Sequence, residues 1–97
     1  MQLGDRPLHG DQVIAHETSG TLVLMSIRNG QYYSLNELGN RIWQLCDGTR
    51  SVESIIEIIS EEYDAPLERI RDDVLMLLSD LADESLVELS DHGAPDS

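Results

Sequence analysis

One run of eight residues, Asn29-Gly30-Gln31-Tyr32-Tyr33-Ser34-Leu35-Asn36, restricts the fold more than any other part of the chain. Asn-Gly tolerates positive φ at both centres of a two-residue hairpin turn, the geometry that matches strand twist. A strand therefore begins at Gln31. It must be short, because Asn36 is a good helix N-cap and Leu38, Ile42 and Leu45 then recur at helical spacing. One short strand thus runs directly into one helix. As the last strand of a small sheet it keeps a free edge, and function is expected along that edge.

At 97 residues the chain is a single domain at most, with room for one modest core and none for a buried catalytic cleft. Six Lys+Arg against nineteen Asp+Glu give a formal net charge of −13. The resulting field repels phosphate backbones and anionic lipid, so nucleic acid and membrane surfaces are poor partners. Cys46 stands alone and cannot form an internal disulfide, and no basic-then-apolar N-terminal segment points to secretion. A cytoplasmic location is expected. No apolar run approaches the roughly 20 residues that span a bilayer.

The segment before Gln12 holds Gly4, Pro7 and Gly10 with few apolar residues and reads as a loosely held arm, residues 1–11. The domain then covers 12–89. Gln12–Glu17 and Thr21–Ile27 are β-rich segments on either side of Ser19-Gly20, the first hairpin, and Asn29-Gly30 closes the second. With two-residue turns, Tyr33 and Leu35 share a face with Leu22, Leu24, Val13 and Ala15, while Tyr32 joins Val23, Met25, Ile27 and Ile14 on the other. The second apolar face is either a contact surface or a sign of a different register.

Helix one is expected over about Glu37–Cys46, ending at Asp47-Gly48. Ser51 caps helix two, whose stripe is Val52, Ile55, Ile56, Ile59 and Tyr63, with Ile58 off it. Helix three starts near Pro66, capped by Asp64 or Ala65, and runs to about Glu84. Leu86 to Leu89 form an extended end, and 90–97 reads as a disordered tail. At about 100° per residue, Leu67, Ile70, Val74, Leu77, Leu78 and Leu81 make the core face of helix three. Leu75, Ala82 and Arg71 form an apolar flank with a cation at its edge, a candidate groove wall.

The order of three strands, Tyr33-Ser34-Leu35-Asn36, Ile42-Trp43-Gln44-Leu45-Cys46-Asp47-Gly48, Ser51-Val52-Glu53-Ser54-Ile55, Asp73-Val74 and a leucine-rich third helix resembles the PqqD-like family, also called RiPP recognition elements. The resemblance covers about Val13 to Leu89. The two tyrosines and the Ile42-Trp43 pair look more like the stand-alone leader-binding proteins of lasso-peptide biosynthesis, whereas Leu45-Cys46-Asp47-Gly48 also resembles PqqD proper, so the branch stays open. The resemblance implies an α+β fold, a winged helix-turn-helix with a three-stranded antiparallel sheet packed on three helices. It also implies a non-catalytic adaptor without cofactor, which binds the leader of a ribosomal precursor peptide antiparallel along the free edge of the third strand. The expected binding residues are Gln31, Tyr32, Tyr33, Ser34 and Leu35 on the strand and Arg71, Val74, Leu75 and Leu78 on the helix, with Arg71 pairing a leader carboxylate. The partner would be a leader-processing enzyme, a cysteine protease of the lasso type or, alternatively, a radical SAM enzyme served by a PqqD-type chaperone. The adaptor itself would be a monomer or a strand-swapped dimer.

Other chemistry is weakly founded. Trp43 reads as a core residue packed on the sheet, and Cys46 as a buried inert thiol with no His placed to activate it. His9, His16 and His92 lack metal-ligand spacing. A winged-helix DNA-binding protein shares the architecture, but Asp72, Asp73, Asp80, Asp83 and Glu84 on helix three oppose that use.

Overall fold

The computed structural model describes residues 2–90; of the tail expected over 90–97, Ser90 ends a strand and the rest lies outside the described residues. Strands β1 (Arg6–His9), β2 (Val13–Thr18), β3 (Thr21–Ser26) and β4 (Tyr32–Leu35) come first. Helices α1 (Glu37–Gln44), α2 (Val52–Glu62) and α3 (Leu67–Asp83) follow, and then β5 (Val87–Ser90). The fold is α+β. Among the described residues the strands form two antiparallel sheets, one in the order β2-β3-β4 and one pairing β1 with β5.

The first hairpin is the expected one: Thr18 pairs with Thr21 across Ser19 (φ 50°) and Gly20 (φ 84°). The second is not a two-residue turn. Ser26 N–H donates to Gln31 O at 2.9 Å and Gly30 N–H to Ser26 O at 2.8 Å, so residues 27–30 form the loop. Gly30 alone turns left-handed there (φ 72°), while Asn29 Oδ1 accepts the Gln31 N–H at 2.9 Å. Asn29 therefore closes an Asx turn with its side chain instead of supplying a turn centre. Met25 consequently faces Tyr32 and Leu24 faces Tyr33, a register two residues away from the expected one. A slip of two preserves the strand period, so the predicted faces survive. Leu22, Leu24 and Leu35 are buried on the inner face, and Ile14 and Tyr32 stand exposed on the outer.

Two apolar groups share the helices. Ile42, Leu45 and Cys46 pack with Val52, Ile55, Ile56 and Ile59 of α2 and Ile70, Val74 and Leu78 of α3. Leu22, Leu24, Leu35 and Trp43 pack with Leu81, Leu86 and Val87. Neighbouring residues of α1, Ile42 and Trp43, thus serve different groups. Each fully buried Leu or Ile contributes about 1.5–3 kcal/mol, so the sheet is held to the helices largely from the second group. Ser51 caps α2 by accepting the Ser54 N–H at 3.1 Å, as expected. Pro66, not Asp64 or Ala65, occupies the cap position of α3, and Leu67 behind it is 58% exposed rather than core.

The N-terminal segment, read as loose, holds β1. Arg6 to His9 pair with Ser90 to Val87, and Pro7 is fully buried. The His9 ring stacks on Trp43 with centroids 3.7 Å apart, and its Nε2 lies 2.6 Å from Trp43 O. Pro7 O accepts the Gly48 N–H at 2.9 Å and Asp5 O the Val52 N–H at 2.8 Å. Gly48 sits at φ 84°, and a Cβ there would meet Leu8 Cδ1 at 3.1 Å. Composition hid this strand because its partner lies some eighty residues away and leaves no local periodicity.

Hydrogen exchange tests this docking. The Gly48 and Val52 amides should exchange slowly in the full chain and about tenfold faster after residues 2–9 are deleted; equal rates would show that the segment holds nothing. The buried Cys46 thiol donates to Ile42 O at 3.2 Å, and burial pushes its pKa up to about 12. At pH 8 only about one thiol in ten thousand is then ionised. Iodoacetamide should leave the folded protein unmodified and label it fully in denaturant, whereas rapid labelling of the folded chain would mean an accessible thiolate.

Candidate functional site

The site starts from where β4 spends its backbone groups. Antiparallel pairs alternate between bonded and non-bonded positions. With Ser26 bonded to Gln31, the bonded pairs continue through Leu24 with Tyr33 and Leu22 with Leu35. The N–H and C=O groups of Tyr32 and Ser34 therefore point to the outer edge of β4, which among the described residues has no strand beyond it. Side chains alternate the other way: Tyr33 and Leu35 face inward, Tyr32 outward.

Asn36 ends this edge. Its Oδ1 accepts the Gly39 N–H at 2.9 Å and starts α1 directly after β4. A Cβ on Gly39 would come within 3.0 Å of Leu35 Cβ, so the junction is tight. The tight turn brings α1 against one end of β4 while the C-terminal half of α3 lies alongside the other.

Between β4 and α3 runs an open cleft in two connected parts. One, about 420 Å³, lies between Tyr33, Ser34 and Leu35 on the strand and Leu77, Asp80, Leu81, Asp83, Glu84 and Leu86 opposite. The other, about 380 Å³, continues past Asn36, Leu38, Gly39 and Ile42 towards Asp73, sharing Ser34, Leu35 and Leu77. Tyr33 spans the first part, its OH donating to Glu84 Oε1 at 2.8 Å. That bond to the Glu84 carboxylate, with partial burial second, raises the phenol above its ordinary pKa. The floor is leucine-rich and the helix wall acidic.

Of the expected site residues, Tyr33, Ser34 and Leu35 line the cleft. Tyr32 offers its backbone to the edge while its ring, 68% exposed, stands on the outer face. Gln31 does not reach the edge, since its carbonyl and N–H are used within the hairpin loop. The helix wall differs from the expected one. Val74 and Leu78 are fully buried in the core, and Leu75 packs against that core. Arg71 lies on a separate cleft of about 140 Å³ with Leu3, Glu53, Ile56, Glu57 and Leu67, away from β4. The wall is instead Asp73, Leu77, Asp80, Leu81 and Glu84. These residues recur at i, i+4, i+7, i+8 and i+11, a helical stripe legible in the sequence as alternating acid and leucine.

The model of the family described as coenzyme PQQ synthesis protein D (PqqD) matches residues 21–87. The chain belongs to the PqqD family. The chain is 38% identical over 60 residues to the PqqA binding protein of Rhodopseudomonas palustris strain BisB5, covering 62% of this chain and 59% of that protein. The Gluconobacter oxydans PqqA binding protein is 46% identical over 46 residues, 47% of this chain and 48% of its own. The chain thus spans about half the length of such relatives. In three dimensions the chain is similar to TbiB1 in complex with the TbiA(β) leader peptide, with a TM-score of 0.75 and 27% identity over 92% of this chain and 99% of that one. A lasso peptide synthetase B1 complexed with its leader peptide shares the fold, at TM-score 0.76 and 19% identity over 86% and 98%.

Spectrophotometric titration tests the bond across this cleft. In a Tyr32→Phe/Tyr63→Phe background Tyr33 is the sole phenol, and adding Glu84→Gln should lower its pKa, since a neutral acceptor stabilises the protonated phenol less. An unmoved titration would mean that Tyr33 and Glu84 do not interact in solution.

Proposed function

We propose that this chain is a non-catalytic adaptor, which takes the leader of a ribosomally made precursor peptide as an added strand on β4 and presents it to a processing enzyme. The observation that carries the reading is the open β4 edge with the cleft beside it, in a chain of the PqqD family. Strand addition answers both features at once: main-chain bonds form along the edge, while alternate side chains enter the cleft. Each main-chain bond contributes a net 0.5–1.5 kcal/mol or so. An apolar leader side chain seated among Leu35, Leu38, Ile42 and Leu77 adds about 1.5–3 kcal/mol. An antiparallel leader would enter at the Leu35 end and leave at the Tyr33 end.

The β2–β3 hairpin and the three helices fit a winged helix-turn-helix arrangement put to peptide binding. Its third helix bears Asp72, Asp73, Asp80 and Asp83, all exposed, which disfavours phosphate contacts. For the partner, the near whole-chain likeness to TbiB1 favours a leader protease of the lasso type. The PqqA binding proteins among its relatives favour the second reading, delivery to a radical SAM enzyme. Processing of a precursor by one purified enzyme or the other, restored by adding this chain, separates the two.

Fluorescence anisotropy with labelled leaders, TbiA(β) and PqqA as first probes, tests the binding itself. Ser34→Pro removes an outward N–H that the β3–β4 pairing does not use, so it should abolish binding with the circular-dichroism spectrum unchanged. Leu77→Ala should weaken binding about tenfold. Undiminished binding by a folded Ser34→Pro variant would contradict strand addition.

A further inference from the structure

The site above rests on an open strand edge; the side chains facing that edge set the chemistry of what fills it. Among the described residues no Lys or Arg lines either part of the cleft, whereas Asp73, Asp80, Asp83 and Glu84 do. All six cations of the chain are arginines at other positions. Arg41 pairs with Glu62 at 2.6 Å and Arg50 with Asp47 at 2.7 Å, and Arg71 lies on the separate cleft. Arg28, in the hairpin loop, acts on the Tyr33 phenol from outside the lining. The acids are also unevenly spread. Asp80, Asp83 and Glu84 stand at the Tyr33 end, while the other part is lined mainly by Leu35, Leu38, Ile42 and Leu77. Tyr33 donates to one Glu84 oxygen from the opposite wall, and the carboxylate has a second oxygen that can accept.

We infer, on the strand-addition reading, that the cleft selects leaders with an apolar side chain for the Leu38 end followed, towards their C terminus, by a Lys or Arg that seats against Asp80 and Glu84. Order follows from direction, because an antiparallel strand passes the Leu35 end first. Spacing follows from geometry. Leu77 and Glu84 are seven residues apart on α3, about 10 Å at 1.5 Å per residue, and a strand covers that in about three residues at 3.3 Å each. Side chains entering one cleft alternate, so the spacing is even, two or four residues. A charge-assisted bond to a carboxylate beside an added strand is partly shielded from water, where such bonds are stronger than at an open surface.

The test is a display selection of random twelve-residue peptides on the full chain, with the enriched peptides then measured on D80N/E84Q and S34P, each checked for an unchanged circular-dichroism spectrum. Enriched peptides should carry Lys or Arg two or four residues after an apolar residue, bind D80N/E84Q about tenfold more weakly and fail to bind S34P. Peptides that lack the cation, or that D80N/E84Q binds equally well, overturn the charge assignment; their loss on S34P would leave strand addition standing. Peptides that S34P binds undiminished overturn strand addition and this inference together. A library without binders overturns both.

Discussion

The hydrogen bond from Gly39 N–H to Asn36 Oδ1, 2.9 Å long, is the constraint on which the rest of the site depends. It stops β4 after four residues and turns the chain into α1 without a loop. A longer β4 would continue past the cleft, and a longer connection would let α1 drift from Leu35. Because the helix begins at once, Ile42 and Trp43 anchor both apolar groups from one turn of α1. Sheet and helices are thereby packed against one another beside the outer edge of β4. On the strand-addition reading, an edge backed by packed elements would lower the ordering cost of binding, which then falls mainly on the incoming strand.

An exposed strand edge invites indiscriminate pairing, and this chain limits the hazard in two ways. β4 is short, offering only Tyr32 and Ser34 outward. The wall beside it is acidic, within a chain whose net charge is −13. Charge of that sign works against pairing between copies of the chain and against an acidic segment at the edge. On the strand-addition reading, the same residues would also narrow the set of peptides that the edge accepts.

Features set by chain neighbours are legible in the sequence, and features set by distant contacts are not. Asn36 and Ser51 as caps, the Ser19-Gly20 turn and the inner placement of Leu22, Leu24 and Leu35 all follow from neighbours in the chain. The four-residue second loop escaped because Asn29 can serve a hairpin either through its backbone or through its side chain. β1 escaped because β5 lies at the other end of the chain. The helix wall of the cleft is not legible in the sequence for a different reason. Periodicity gives the angles between residues on α3 but not the direction in which the sheet lies, and the expected wall of Arg71, Val74, Leu75 and Leu78 is rotated by roughly 120° from the observed one. The direction is set by Leu81, Leu86 and Val87 packing on Trp43 and Leu24, a contact between distant segments.

The most direct measurement is residue-resolved amide exchange of the chain with and without a bound leader. Strand addition on β4 predicts strong new protection at Tyr32 and Ser34 and none at Ala15, whose N–H faces the open edge of β2 on the other side of the sheet. Unchanged exchange at Tyr32 and Ser34 in a saturated complex, or protection along β2 instead, would contradict it.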